Sequence, residues 1–193
     1  MLTFRIWDLP TRLFHWLLAL CFVGLVISGN VGGNAMVWHF RLGYVVFSLL
    51  LFRLVWGLVG GHWSRWSSLP LGFASIRCYL KGQGQASDLA GHNPLGSWSV
   101  LALLFFLSLQ VGTGLFSDDE ITNMGPLSSS VSGAWVSAAT HWHKHWGKLL
   151  LILLVLIDLL ANAWYSWSKR QALVQAMWHG DKVLQTPVLE TVD

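Results

Sequence analysis

His15, His39, His141, His143 and His145 stand inside or at the edges of long apolar runs, together with Arg41, Arg53 and Asp158 and, near an edge, Lys144 and Lys148. Ionisable side chains are costly at such positions and mark functional sites by default. A lone histidine at an interface is more often hydrogen-bonded or snorkelling than a metal ligand, but two features single out one pair. His39 and His143 each open an apolar run, and each is followed four residues later by a glycine, Gly43 and Gly147. Residues four apart share a helix face, so each glycine is expected to clear a flat space beside an imidazole. Two such histidines on different helices suit a bis-imidazole haem iron. Taking Asp158 as inward-facing, His143 lies about 60° from it around a regular helix, His141 about 100° and His145 about 140°. His143 is therefore the expected ligand, with His145 the reserve and His141 an interfacial residue. Zinc would want four clustered Cys, His or carboxylate ligands, and copper-binding methionines are scarce, with 4 Met in the chain.

Four helices are needed to hold these residues. A span requires about 20 largely apolar residues, and Leu13 to Gly29, Val37 to Val59, Leu95 to Phe116 and Trp142 to Trp164 meet that test. The expected architecture is an all-α integral membrane four-helix bundle forming one domain over residues 1–193. Its connections are a Gly/Asn turn at Asn30 to Ala35, a polar segment from Gly60 to Asn93 and a Ser/Gly-rich loop from Ser117 to Thr140. The first apolar run has no A-x-A-like cleavage site after it and reads as an uncleaved helix.

Lys and Arg outside the spans sort to one side: Arg5 and Arg12, then Arg65, Arg77 and Lys81, then Lys169, Arg170 and Lys182. The positive-inside rule makes that side, with both termini, cytoplasmic. The last connection carries Asp118, Asp119 and Glu120 instead. With the helices so directed, His39 and His143 form an outer layer. His15 lies near the cytoplasmic face, where Arg53 and Asp158 join it, each about 21 to 23 Å along its helix from the outer histidines. Arg41 and Arg53 can then neutralise haem propionates, one in each layer, with snorkelling to the headgroups as the competing account.

Composition agrees: 54% of residues are hydrophobic and 11% charged, against about 25% charged in soluble domains. A net charge of +3 is too small and dispersed to suggest nucleic acid. Cys21 and Cys78 offer neither a disulfide framework nor a C-x-x-C-H haem attachment, so any haem is held without covalent links, as haem b is.

Several segments carry a resemblance: WDLPTRLFHW at 7 to 16, HFRLGYVVFSLLLFRLVWGLVG at 39 to 60, GHNPLG at 91 to 96, QVGTGLFSDD at 110 to 119 and HKHWGK at 143 to 148. Together they resemble the bacterial cytochrome b561 family, which includes the b-type cytochrome subunits of nickel-iron hydrogenases. The resemblance implies a four-helix bundle with two haems, one near each face, in the bacterial inner membrane. It implies electron transfer between quinone or quinol and a partner such as a hydrogenase or a c-type cytochrome. His15, His39 and His143 match three of the four family ligands. The fourth falls at Asp158, in LVLIDLLANAWY at 154 to 165.

Carboxylate is an unusual haem ligand, so three inner arrangements stay open. Asp158 pairs with Arg53 and the site holds no haem; or His15 alone holds a five-coordinate haem; or His92 or His62 supplies the missing ligand. His92 also has a plain reading, since Asn93 and Pro94 mark a helix start. The functional alternatives to a relay are a single-haem membrane anchor and an oxidase of a small substrate such as superoxide.

Overall fold

The computed structural model describes residues 2–81, 91–119, 123–168 and 173–184. Glu120 of the acidic loop, Lys169, Arg170 and residues 171–172 and 185–193 of the C-terminal tail lie outside the described residues. In chain order the elements are strand β1 (Leu2–Arg5), helices α1 (Leu9–Val31), α2 (Met36–Val59), α3 (Phe73–Leu80), α4 (Pro94–Phe116), α5 (Gly133–His141), a π-helical turn (Trp142–Gly147), α6 (Lys148–Ser168), α7 (Leu173–His179) and strand β2 (Asp181–Leu184). Among the described residues four helical runs are long and apolar enough to cross a membrane, at Leu9–Val31, Gly33–Val59, Pro94–Phe116 and Gly133–Ser168.

The last run starts well before the expected Trp142. Ser132 caps it by accepting from the Trp135 amide at 3.4 Å, and the small, largely apolar stretch after Gly133 favours a helix over the Ser/Gly loop expected there. The polar segment after α2 is likewise structured, with short 3-10 turns at His62–Ser64 and Trp66–Ser68 before α3. The first turn is tight because Gly32 and Gly33 take positive φ, 68° and 55°, which a Cβ disfavours. Two strands also depart from the all-helical expectation: β1 pairs antiparallel with β2, Thr3 opposite Val183 and Arg5 opposite Asp181.

Contacts divide the chain into two compact units. One comprises residues 16–52 and 102–157 and takes a stretch of each membrane helix. Its core is Cys21 of α1, Val46 of α2, Leu107 of α4 and Leu151 of α6, with Phe22, Leu42 and Phe106 packed around them. Val46 is wholly buried, whereas Leu20 on the outer face of α1 is 69% exposed. Such outward leucines meet lipid.

The other unit comprises residues 1–15, 53–101 and 158–193. Asp8 organises its start. One carboxylate oxygen caps α1 by accepting from the Thr11 amide at 2.8 Å, and the other accepts from the Trp56 indole at 3.1 Å and the Ser64 hydroxyl at 2.9 Å. Burial pushes the Asp8 carboxyl up, but the hydrogen bonds from Thr11, Ser64 and Trp56 together outweigh it and hold the group below its ordinary value. Because the folded value is lowered, the stabilisation is complete above the ordinary carboxylate range and is lost as pH falls through the folded value. Asp8→Ala is expected to cost about 1 to 3 kcal/mol at neutral pH. Thermal unfolding in detergent checks this, and the difference from wild type should shrink as pH falls below the ordinary carboxylate range and through the lowered folded value.

Candidate functional site

The sequence candidates fall into the two units as groups: His39 and His143 in one, and His15, Arg53 and Asp158 in the other. His39, from the first turn of α2, and His143, from the π turn, face each other with ring centroids 6.0 Å apart and planes at 85°. Each ring is held by its Nδ1. His39 Nδ1–H donates to the Leu25 carbonyl at 3.1 Å, with Ser28 Oγ 3.3 Å away, and His143 Nδ1–H donates to the Gln110 carbonyl at 2.8 Å. A carbonyl only accepts, so each imidazole keeps its proton on Nδ1 and leaves Nε2 as a lone-pair donor. This is the outer-shell arrangement that orients metal-bound histidines.

The spacing suits one metal between the rings. Two metal–imidazole bonds of about 2 Å, plus about 1 Å from each ring nitrogen to its ring centre, sum to about 6 Å. A cavity of about 460 Å³ opens around the pair. It is lined mainly by apolar side chains such as Phe22, Phe40, Leu107 and Val111, with Tyr44, Asp118, Asp119, Lys144, His145 and Lys148 as its charged or titratable lining besides the pair. Cavities of this size and polarity bind organic cofactors. The donor set, ring spacing and cavity thus fit a haem held by two imidazoles.

Glycines shape the site, though not quite as expected. Gly43 faces open space and lines the cavity. Gly147 does not: a Cβ there would collide with the Gln110 side-chain amide and sit 2.8 Å from the Trp142 indole nitrogen. The glycines that accommodate the imidazoles are on neighbouring helices instead. A Cβ on Gly29 would stand 3.0 Å from His39 Cε1, and one on Gly114 would stand 2.9 Å from His143 Cε1. Gln110, Gly29 and Gly114 carry no ionisable group, so charge and histidine spacing do not point to them. A signal existed, because Gln110 is the one amide side chain of a helix whose other polar residues are Ser and Thr, and Gly114, four residues on, shares its face.

Arg41 is exposed and stacks over Trp38 at 5.0 Å, so it belongs to the helix surface and not to the cavity lining. The cations of that lining are Lys144 and Lys148. His145 also lines the cavity, and its ring lies 4.9 Å from that of His141.

The other unit bears on the inner arrangements left open by the sequence. Arg53 is buried but does not pair with Asp158; it donates to the Ser64 carbonyl at 2.9 Å and lies 4.1 Å over Trp66. Asp158 accepts from Ser99 Oγ at 2.7 Å and from Asn162 Nδ2 at 3.0 Å. Hydroxyl and amide donors replace the guanidinium because Arg53 is drawn to the aromatic face and to the carbonyl beside Asp8. Asp158 is close enough for its charge to act on His15. His62 is exposed against Trp63. His92 packs on Trp7 at 4.8 Å, and burial, with the charges of Arg53, Lys182 and His15, pushes its imidazole down to about 4. Beside it Asn93 caps α4, accepting from the Gly96 amide at 2.7 Å.

Comparison with known proteins gives a family and a set of relatives. A sequence model of the family described as "Prokaryotic cytochrome b561" matches residues 6–180. Among curated proteins, the "Probable Ni/Fe-hydrogenase B-type cytochrome subunit" of Azotobacter chroococcum mcd 1 is 28% identical, the match covering 91% of this chain and 86% of that protein. Proteins of the same description are 26% identical in Cupriavidus necator, covering 91% and 85%, and 23% identical in Bradyrhizobium diazoefficiens, covering 93% and 86%. No solved structure matches significantly.

Proposed function

The chain belongs to the prokaryotic cytochrome b561 family and is a multi-pass membrane b-type cytochrome of electron transfer, and from that premise we propose that it carries a single haem b between His39 and His143. Its task on this reading is to pass electrons between quinol or quinone and a partner redox protein, such as a hydrogenase or a c-type cytochrome. The observation that carries the reading is the facing imidazole pair with both Nδ1–H groups committed to backbone carbonyls. A haem iron bound there supplies reversible one-electron chemistry.

The residues around it have distinct tasks. Leu25 and Gln110 hold the two rings in the tautomer that ligates. Phe22, Phe40 and Leu107 keep water from the site, and burial of that kind raises the influence of nearby charge. Lys144 and Lys148 are the lining cations that meet the propionates. In the other unit His15 has a carboxylate neighbour already taken by Ser99 and Asn162, which supports one haem in place of two. The family resemblance supports a bacterial inner-membrane location, and the distribution of Lys and Arg supports both termini being cytoplasmic.

Reconstitution into liposomes tests the relay. A quinol added to the oxidised protein is expected to bring up the reduced α band to most of the extent reached with dithionite. A band that appears with dithionite alone would remove quinol from the account.

A further inference from the structure

The π turn that carries His143 is tied to α4 by one residue. Gln110 bonds His143 twice: its backbone carbonyl accepts from the imidazole Nδ1–H at 2.8 Å, and its side-chain Nε2 donates to the His143 carbonyl at 2.8 Å. The second bond matters because a π turn interrupts the regular helical bonding that surrounds it, and π turns recur at functional sites. A carbonyl left without a donor in a membrane interior is costly. Gly147, at the end of the same turn, is where a Cβ would collide with the Gln110 amide. Gly114, one turn along α4, is where a Cβ would collide with the His143 ring. Gln110 Oε1 and Trp142 Nε1 both flank the space beside Gly147, and among the described residues neither of these buried atoms has a hydrogen-bond partner. The faces are complementary: α4 offers an amide and then a gap, and the π turn offers a gap and then a ring.

We propose that Gln110 is a positioning residue whose side-chain amide holds the π turn open and thereby sets the plane and tilt of the His143 imidazole, with Gly147 as its required void. The inference rests on His143 being a haem ligand. It goes further by assigning the ring's orientation to a neutral side chain on a different helix. The backbone half of the contact survives any substitution at 110, so side-chain variants isolate the amide.

The test uses the purified haem-loaded protein and two substitutions. Gln110→Met keeps the length and removes the donor; Gly147→Ala keeps the donor and fills its space. The readouts are the largest g value of the ferric low-spin signal, which reports the mutual orientation of axial imidazole planes, and the rate of haem transfer to apomyoglobin. Each variant is expected to shift the g value and to speed haem release roughly tenfold, the usual scale for loss of a group that orients a metal ligand. The double variant should do little more than either single one, because both remove one contact. If Gln110→Met does not accumulate, Gly147→Ala still reads the same contact. Wild-type g values and release rates in the variants, or effects that simply add, overturn the proposal. A haem that survives His39→Ala overturns the function reading instead, so the two failures are separable.

Discussion

Replacing His143 by alanine is expected to abolish the low-spin spectrum of the purified protein, whereas replacing His145 leaves it intact. Both histidines line the cavity, so proximity alone does not choose between them. Orientation does: His143 is fixed by the Gln110 carbonyl with its ring 6.0 Å from that of His39, while the ring next to His145 is that of His141, at 4.9 Å. On the proposed reading this takes one of two axial ligands from an apolar cavity and with it a whole metal–ligand bond, so the affinity loss should exceed the 10- to 100-fold scale seen when a group that only orients a ligand is lost. The expected result is less than about a tenth of wild-type haem retained through purification. Haem content and the Soret spectrum of the two variants read the outcome. Retention in His143→Ala with loss in His145→Ala would transfer the ligand role to His145.

The fold was legible because hydropathy writes membrane spans directly: about 20 apolar residues must be contiguous, and four stretches were. The boundaries were less so. The start at Gly133 was hidden because Ser and Gly are read as loop residues, yet Ser132 serves as a cap and most of the residues after it are small or apolar. The approach of His39 and His143 was legible from depth and helix angle, although the count of about 100° per residue does not apply through Trp142–Gly147. What stayed hidden were contacts between helices. The spacing of Gly43 after His39 suggested a void, and the structure gives one; the same spacing at Gly147 marks a void filled by Gln110. No pattern within one helix tells these apart, because the neighbour decides. Arg53 shows the same limit. Its level suggested Asp158 as partner, but Ser64 and Trp66, from the connection after α2, take it.

The second large effect is a gain. Asp158→His is expected to raise haem content from one to two per polypeptide and to add a second component to the redox titration. His15 and residue 158 are in one unit and near enough for charge at 158 to act on the imidazole. The family resemblance implies histidine at this position. Ser99, now donating to Asp158 at 2.7 Å, has a hydroxyl that also accepts, so it can take an imidazole N–H and orient the new ligand. Exchange of a carboxylate for imidazole also removes a charge that is costly in an apolar bundle. A content that stays at one would mean that the surroundings of His15 no longer admit a macrocycle.

The most direct measurement is the haem content of the wild-type polypeptide by pyridine haemochrome, made beside His39→Ala and His15→Ala. One haem per chain, lost in His39→Ala and kept in His15→Ala, is the predicted result. Two haems in wild type, or a single haem that survives loss of His39, would contradict a single site between His39 and His143.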